Sequence, residues 1–191
     1  LARFFLDPIW WLFVSWLPIY LAETFSFDIK QIGIFAWVPF VGAMLGSLFG
    51  GWLSGRLIAS GRSVDRARKW VITLGCLIMA PALLGAVLAN DPTVAVLTIA
   101  AVLFGFQVAI GNIQTLPGDV FHGKSVGSLA GVGGMAAVAG TLITTWLVPI
   151  MTKVSYAPIF ILVAALVPLC LVAIWVVTGR IEKVDVPSAR G

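Results

Sequence analysis

Residues 93–118 read TVAVLTIAAVLFGFQVAIGNIQTLPG, without a single acidic or basic side chain. An α-helix rises 1.5 Å per residue, so a run of this length crosses the roughly 30 Å hydrocarbon core of a bilayer. Backbone polar groups in lipid must be satisfied within their own segment, and charge-free runs this long achieve that only as helices. The stretch therefore predicts a transmembrane α-helix.

Five further runs have the same character, at residues 8–22, 31–55, 70–90, 125–152 and 154–179. The first is short, and it reaches spanning length if Asp7 caps the helix and Pro8 takes its first position. Across the chain 60% of residues are hydrophobic and 10% are charged, against roughly 25% charged in soluble domains. The sequence predicts an all-α membrane protein with one six-helix domain, residues 1–179, and a polar tail, residues 180–191.

The basic residues are placed on one side of this predicted topology. Lys30 and Lys153 are the exceptions, while the other ten Lys and Arg lie at the N-terminus, in the second and fourth connections, or in the tail. Lys and Arg concentrate in cytoplasmic connections, so both ends of the chain are expected in the cytoplasm. The net charge of +4 thus encodes orientation, with the lipid bilayer as partner and no nucleic acid.

Groups for enzymatic chemistry are scarce. The chain has no HExxH or GxSxG motif and no paired cysteine ligands, and its one histidine, His122, stands in a connection. Its acidic residues are expected at helix ends, in connections or in the tail, which leaves no deep proton site in this chain. We expect no enzyme activity, no metal and no cofactor.

Neutral polar residues concentrate in the fourth predicted helix. Gln107 and Gln114 share one face, seven residues apart, and Asn112 points about 140° away from Gln107. Buried amides need partners, so this helix is expected to line a polar cavity, with hydrogen bonds between helices as the alternative. We predict Gln107, Gln114 and Asn112 as substrate-binding residues.

The first helix offers an aromatic counterpart. Trp11 and Ser15 share a face, and an aromatic ring can stack on a sugar while amides bind its hydroxyls. Aromatic residues near helix ends also serve as interface anchors, and that alternative stays open for Trp11. Trp11 and Ser15 complete the predicted substrate site.

Glycines form two stripes. The second helix carries Gly42, Gly46 and Gly50, and the fifth carries Gly127 and Gly131. Small residues at this spacing let helix backbones approach closely in membranes. These glycines are expected either to pack within the six-helix unit or to form an interface with a partner outside it.

Several motifs together resemble the major facilitator superfamily, and within it the anion:cation symporters of the hexuronate and sugar-acid type. They are Asp7-Pro8-x-Trp10-Trp11, Trp16-Leu17-Pro18-x-Tyr20-Leu21, Gly50-Gly51-Trp52-Leu53-Ser54-x-Arg56-Leu57 and Leu116-Pro117-x-Asp119-x-Phe121, followed by Gly127-Ser128-x-x-Gly131. The resemblance implies helices seven to twelve of a twelve-helix protein, arranged as two inverted three-helix repeats. It also implies that an N-terminal half is missing from this chain.

The resemblance assigns further roles. A cytoplasmic gate signature is matched at Gly51 and Arg56, but Gly55 stands where the family has an acid. Asp65 or Asp119 is expected to compensate, so these four residues form the predicted gate. The glycine stripes around Gly46 and Gly131 are expected to receive the missing half.

The leading expectation is proton-coupled uptake of a hexuronate or another sugar acid by alternating access, in a bacterial inner membrane. Two alternatives stay open. One is a carrier of a different small organic anion. The other is a membrane interaction module that does not transport and dimerises through its glycine stripes.

Overall fold

The computed structural model describes residues 1–121, 124–153 and 155–182 as a helical bundle without strands in those ranges. Its helices are α1 Ala2–Phe25, α2 Ile29–Phe35, α3 Val38–Ala59, α4 Val64–Leu88, α5 Pro92–Val120, α6 Lys124–Met151 and α7 Ala157–Val172, with a π-helical end at Ala173–Val177. Six spans are long and apolar enough to cross a membrane, with α2 and α3 together forming the second. The all-α, six-span prediction is confirmed. His122 and most of the predicted tail, residues 183–191, lie outside the described residues.

Local sequence fixes several helix starts. Asp91 caps α5, because its carboxylate accepts hydrogen bonds from the N–H groups of Thr93 at 2.8 Å and Val94 at 3.1 Å. Asp28 and Gln31 form a reciprocal capping box at α2. These caps satisfy donors that the helices leave free, and they set where the second and fourth spans begin.

The start of α1 corrects a prediction. Asp7 does not cap this helix, since α1 already begins at Ala2 and Asp7 and Pro8 lie inside it. Pro8 has no N–H to bond the carbonyl of Phe4, one turn earlier. Gly140 of α6 packs directly on the backbone of Phe4. The helix is 24 residues long, so α1 reaches spanning length without Asp7 as its cap.

The α3 glycines correct a second prediction. A Cβ added at Gly42, Gly46 or Gly50 would collide with the backbone of α5 at Ala100, Phe104 or Val108, respectively. This stripe therefore packs inside the six-helix unit, and the expectation that it receives a missing half is wrong. Gly127 and Gly131 of α6 have nothing within 4 Å of their Cβ positions. For these two, docking of another half stays a prediction.

The helices define two ends of the bundle. We call one the basic end; it holds the start of α1, the connection between α3 and α4, and the end of α5. Arg62, Arg66 and Arg68 lie there, and Arg3 shares a cleft with Leu116 and Pro117. Helices α1 and α5 therefore run antiparallel, which brings the first turns of α1 beside the second half of α5.

Candidate functional site

A cleft of about 210 Å³ lies between α1 and α5. Its walls carry two tryptophans, two glutamines and an ion pair, and its lining residues are Arg3, Asp7, Trp10, Trp11, Phe106, Gln107, Ile110 and Gln114. The structure thus brings together Trp11, Gln107 and Gln114, three of the five residues that the sequence singled out. Whether they bind a substrate stays a prediction.

Two tryptophans form the α1 wall in different ways. Trp10 is held in place, because it stacks on Phe106 with ring centroids 5.5 Å apart and meets the edge of Phe40 at 6.1 Å. Trp11 is 49% exposed. The first ring is therefore fixed by packing, while the second is available to stack on a ligand.

The α5 wall supplies amides. Among the described residues, the side-chain hydrogen bonds in this part of α5 belong to Asn112, which bonds to Val108, and Thr115, which bonds to Asn112. Gln107 is half-buried and Gln114 is exposed at the cleft. Their amides are thus free to donate to and accept from a ligand, as hydroxyl recognition requires.

An ion pair lies at the same cleft. Arg3 Nη2 donates to Asp7 Oδ2 at 2.8 Å, one helical turn apart, and Asp7 is only 7% exposed. Neither residue is among the predicted binding residues, because the sequence around Asp7 and Pro8 predicts Asp7 as a helix cap. The signal was present, since an Arg and an Asp at positions i and i+4 of a helix lie side by side.

The other two predicted binding residues lie elsewhere. Ser15 is exposed and does not line the cleft. Asn112 is 2% exposed, and its amide donates to the carbonyl of Gly50 on α3 at 3.3 Å and to that of Val108, one turn earlier on α5, at 2.9 Å. At roughly 100° per residue, Asn112 lies about 140° around the helix from Gln107, and its side chain therefore points in a different direction. Asn112 therefore ties helices together and is corrected from substrate binding to packing.

Asn112 belongs to a second polar group, which we call the Arg68 cluster: Ser54, Arg68, Asn112 and Asp119. Arg68 donates to Asp119 Oδ2 at 2.9 Å, to Ser54 Oγ at 2.7 Å and to Asn112 Oδ1 at 3.0 Å. One guanidinium thus joins α3, α4 and α5 near the basic end. Arg68 and Ser54 were not singled out from the sequence, because nothing local distinguishes Arg68 from its basic neighbours.

The predicted gate residues separate into different surroundings. Asp119 lies in the Arg68 cluster, while Asp65 pairs with Lys69 at 2.9 Å and accepts the N–H of Ile181 at 3.0 Å. Arg56 and Gly51 are exposed, and the Arg56 guanidinium lies 5.4 Å from the centroid of the Trp52 ring. Within the described residues neither acid pairs with Arg56, so the expected compensation for Gly55 is not present in this conformation.

Besides a cleft of about 360 Å³ between α1, α5 and α6, two larger clefts lie at opposite ends of the bundle. One, of about 820 Å³, is lined by the α3–α4 connection and Arg180, and the other, of about 460 Å³, by Glu23, Lys153 and Tyr156. In the second, the Tyr156 hydroxyl donates to Glu23 Oε2 at 2.7 Å, and burial and this carboxylate raise the pKa of Tyr156. Both clefts form where connections meet, whereas the α1–α5 cleft lies between membrane spans.

A bundle of six apolar spans defines a polytopic membrane protein, and in this one a polar cleft lies between two of the spans. The sequence model of the Major Facilitator Superfamily matches residues 1–191. The chain belongs to that family, as its motifs indicated.

Its relatives include bacterial carriers of sugar acids. The chain is 31% identical to the hexuronate transporter of Escherichia coli (strain K12), over 97% of this chain and 43% of that protein. It is 29% identical to the probable galactarate/D-glucarate transporter of the same strain, over 96% of this chain and 41% of the relative. It is 26% identical to the D-galactonate transporter of E. coli O6:H1, over 96% and 43%.

These relatives are transporters by name and not enzymes, as expected. The chain spans less than half of the length of each, which agrees with the half-transporter resemblance.

Proposed function

We propose that this chain is the C-terminal half of a secondary transporter that carries a sugar acid through the α1–α5 cleft. The observation that carries the proposal is the pairing of the Trp11 ring with the free amides of Gln107 and Gln114 in one cleft between spans. A polyhydroxylated solute offers a face for the ring and hydroxyls for the amides. The relatives named for hexuronate, galactarate and D-galactonate transport support that substrate class.

Transport requires a second half in this proposal. The α1–α5 cleft is open on one side, and the matching relatives are more than twice as long as the aligned region. We place a further six-helix half against this side and against the open glycines Gly127 and Gly131. The two halves then expose the cleft to either side of the membrane in turn, with a proton as the coupling ion and no other cofactor.

The orientation is part of the proposal. The Lys and Arg residues of the basic end favour the cytoplasmic side, because positively charged connections are retained there. Both ends of the chain are then cytoplasmic, in a bacterial inner membrane. In that orientation the α1–α5 cleft lies nearer to the cytoplasmic side, since Gln114 is on the last turns of α5 before the basic end.

The test is uptake by the full-length transporter in cells lacking their own sugar-acid carriers. Galacturonate, galactarate and D-galactonate are offered as labelled substrates. Gln107→Ala and Gln114→Ala should each weaken the affinity for the transported acid by roughly ten- to a hundredfold, because an unpaired hydroxyl costs about 1–3 kcal/mol.

Thr98→Val serves as the matched control on the same helix. The Thr98 hydroxyl bonds only to the α5 carbonyls of Val94 and Ala95 within the described structure, away from the cleft. Its substitution should leave affinity unchanged. Wild-type affinity in both glutamine variants would remove α5 from the site, and no uptake of any of the three acids would contradict the substrate class.

A further inference from the structure

The cleft of about 820 Å³ at the basic end takes no part in the proposed transport. It lies where the α3–α4 connection and the start of α4 meet the residues that follow the π-helical end. Arginines outnumber carboxylates on its walls, so the cleft favours an anion. The lining residues are Gly61, Arg62, Ser63, Asp65, Arg66, Trp70, Arg180 and Glu182.

One of the two carboxylates is already used to hold the cleft together. Asp65 pairs with the buried Lys69 at 2.9 Å and accepts the N–H of Ile181 at 3.0 Å. Lys69 also donates to the carbonyl of Gly179. These bonds tie the segment after the π-helical end to the first turns of α4, so the cleft is a built feature of the fold and Asp65 is neutralised by Lys69.

The arginines of this cleft are left with little compensation. Glu182 lies 3.9 Å from Arg180, and both side chains are largely exposed, so their pairing is weak. Arg62 and Arg66 are exposed, and no carboxylate in the described part of the chain pairs with either. Two guanidinium groups are therefore available to an anionic ligand.

The same cleft borders the lipid-facing surface through an aromatic pair. Trp70, which lines the cleft, is 55% exposed, and its ring meets the edge of the 45% exposed Trp175 at a centroid distance of 6.4 Å. The Trp175 indole N–H donates to Thr73 Oγ1 at 2.9 Å, which fixes its position. Exposed tryptophans at the end of a span mark the headgroup level of the bilayer, so the arginines stand beside that level.

An apolar strip continues from the cleft along α4. Trp70, Leu77 and Leu84 follow one another at intervals of seven residues and so lie on one face of the helix. Leu77 is 62% exposed and Leu84 is 51% exposed. We call these three residues the Trp70 face. A soluble phosphate would use only the arginines, whereas a phospholipid would use the arginines and the Trp70 face together.

We propose that this cleft binds the headgroup of an anionic phospholipid, with Arg62 and Arg66 on its phosphate and its acyl chains along the Trp70 face. Guanidinium groups hold phosphate oxygens through paired N–H donors. Basic pockets at the end of a membrane span attract anionic headgroups for the same reason. The proposal goes beyond the proposed function, because it requires only that the spans lie in a membrane.

The experiment titrates the purified full-length transporter in detergent with short-chain phosphatidylglycerol and measures binding by calorimetry. Short-chain phosphatidylcholine, which has no net charge, should bind at least about tenfold more weakly. Glycerol phosphate carries the phosphate without acyl chains, and it should also bind at least about tenfold more weakly, because it cannot use the Trp70 face.

Variants locate the site. Arg62→Gln and Arg66→Gln should each weaken phosphatidylglycerol binding roughly fivefold, and the double variant roughly thirtyfold. Both side chains are exposed and neither belongs to the bonds that close the cleft, so the variants should fold. Arg56→Gln is the matched control: it removes the same charge at an exposed position of the basic end outside the cleft, and it should bind the lipid like wild type.

Each result has one reading. Wild-type affinity in the double variant, or equal weakening in Arg56→Gln, would overturn the proposal, the latter by showing diffuse attraction to the whole basic end. Glycerol phosphate bound as tightly as phosphatidylglycerol would show a site for a soluble anion instead of a lipid, and equal binding of phosphatidylcholine would show no preference for anionic lipid. None of these outcomes bears on sugar-acid uptake, and failed uptake would leave lipid binding untouched.

Discussion

Helices α3 and α6 carry similar glycine stripes, and the bundle uses them differently. On α3, Gly42, Gly46 and Gly50 meet the backbone of α5 so closely that no Cβ fits. On α6, Gly127 and Gly131 face open space. The same spacing therefore forms a helix–helix contact inside the unit on α3 and an open surface on α6. A glycine stripe shows that a helix can be approached closely, but it does not identify the partner.

The two glycine stripes differ because α3 packs against α5, whereas most of α6 has no neighbouring helix in this unit. Helix α5 is the most enclosed of the described spans, with 56% of its 18-residue apolar window buried, and its backbone meets the α3 glycines at Ala100, Phe104 and Val108. Asn112 of α5 bonds to the carbonyl of Gly50, so the close approach is also sealed by a hydrogen bond. Only 11% of the corresponding 18-residue window of α6 is buried. Among its described glycines, Gly140 packs on the backbone of Phe4, and Gly133 and Gly134 lie beside the Arg3 side chain.

The largest loss of stability is expected from a bulky side chain in the contact between the α3 glycines and α5. Gly46→Leu places a side chain where the backbone of Phe104 already stands, so α3 and α5 must separate. We expect a loss of about 3 kcal/mol or more in the free energy of unfolding, or no folded protein at all. Thermal unfolding of the purified protein in detergent measures it.

Gly51→Ala is the control on the same helix, because nothing lies within 4 Å of its Cβ position. It should be neutral or raise the free energy of unfolding by up to about 1 kcal/mol, as expected for Gly to Ala in a helix. Equal melting temperatures for Gly46→Leu and wild type would show that the contact between α3 and α5 is not tight.

A smaller loss of stability is expected from disrupting the Arg68 cluster, which joins α3, α4 and α5 near the basic end. Arg68→Gln removes the donor shared by Ser54, Asn112 and Asp119 and leaves the Asp119 carboxylate without its cation. The Arg68 and Asp119 side chains are partly exposed, so we expect about 1–3 kcal/mol of destabilisation, less than for a fully buried pair. Unfolding of Arg68→Gln, Asp119→Asn and the double variant gives the coupling energy, and additive effects would mean that the pair contributes nothing.

The smallest effect on folding is expected on the open stripe. Gly131→Leu should change the free energy of unfolding of the six-helix unit by no more than about 0.5 kcal/mol. The new leucine side chain would meet no other atom of the described unit at its Cβ position. Co-purification with a separately expressed N-terminal half should nevertheless fall.

Gly140→Leu sharpens this test on the same helix. Its side chain would overlap the backbone of Phe4, so it should destabilise the unit itself. Unchanged association in Gly131→Leu would mean that this part of α6 faces lipid.

The grouping of predicted residues in one cleft was predictable where they share one helix face. Gln107 and Gln114 share a face, and the structure places both in one cleft with Trp11. Asn112 was misassigned, although its different direction could be read from the sequence, because its partners on α3 and α4 are distant in the chain. Asp7 was misassigned because a local rule, an Asp before a Pro as helix start, was applied to a residue that tertiary packing keeps inside α1.

By itself the sequence determined the membrane environment, the six spans, the side that carries the basic residues and the family. Each of these follows from a local property of the chain, namely the hydrophobicity of a run, the charges in a connection or a motif of neighbouring residues. The tertiary structure alone decided which glycine stripe is sealed, that Arg68 joins three helices, and that Arg3 and Asp7 face the cleft. Those outcomes depend on the rotation of one helix against another, and lipid-facing and helix-facing apolar surfaces have the same composition, so no local property distinguishes them.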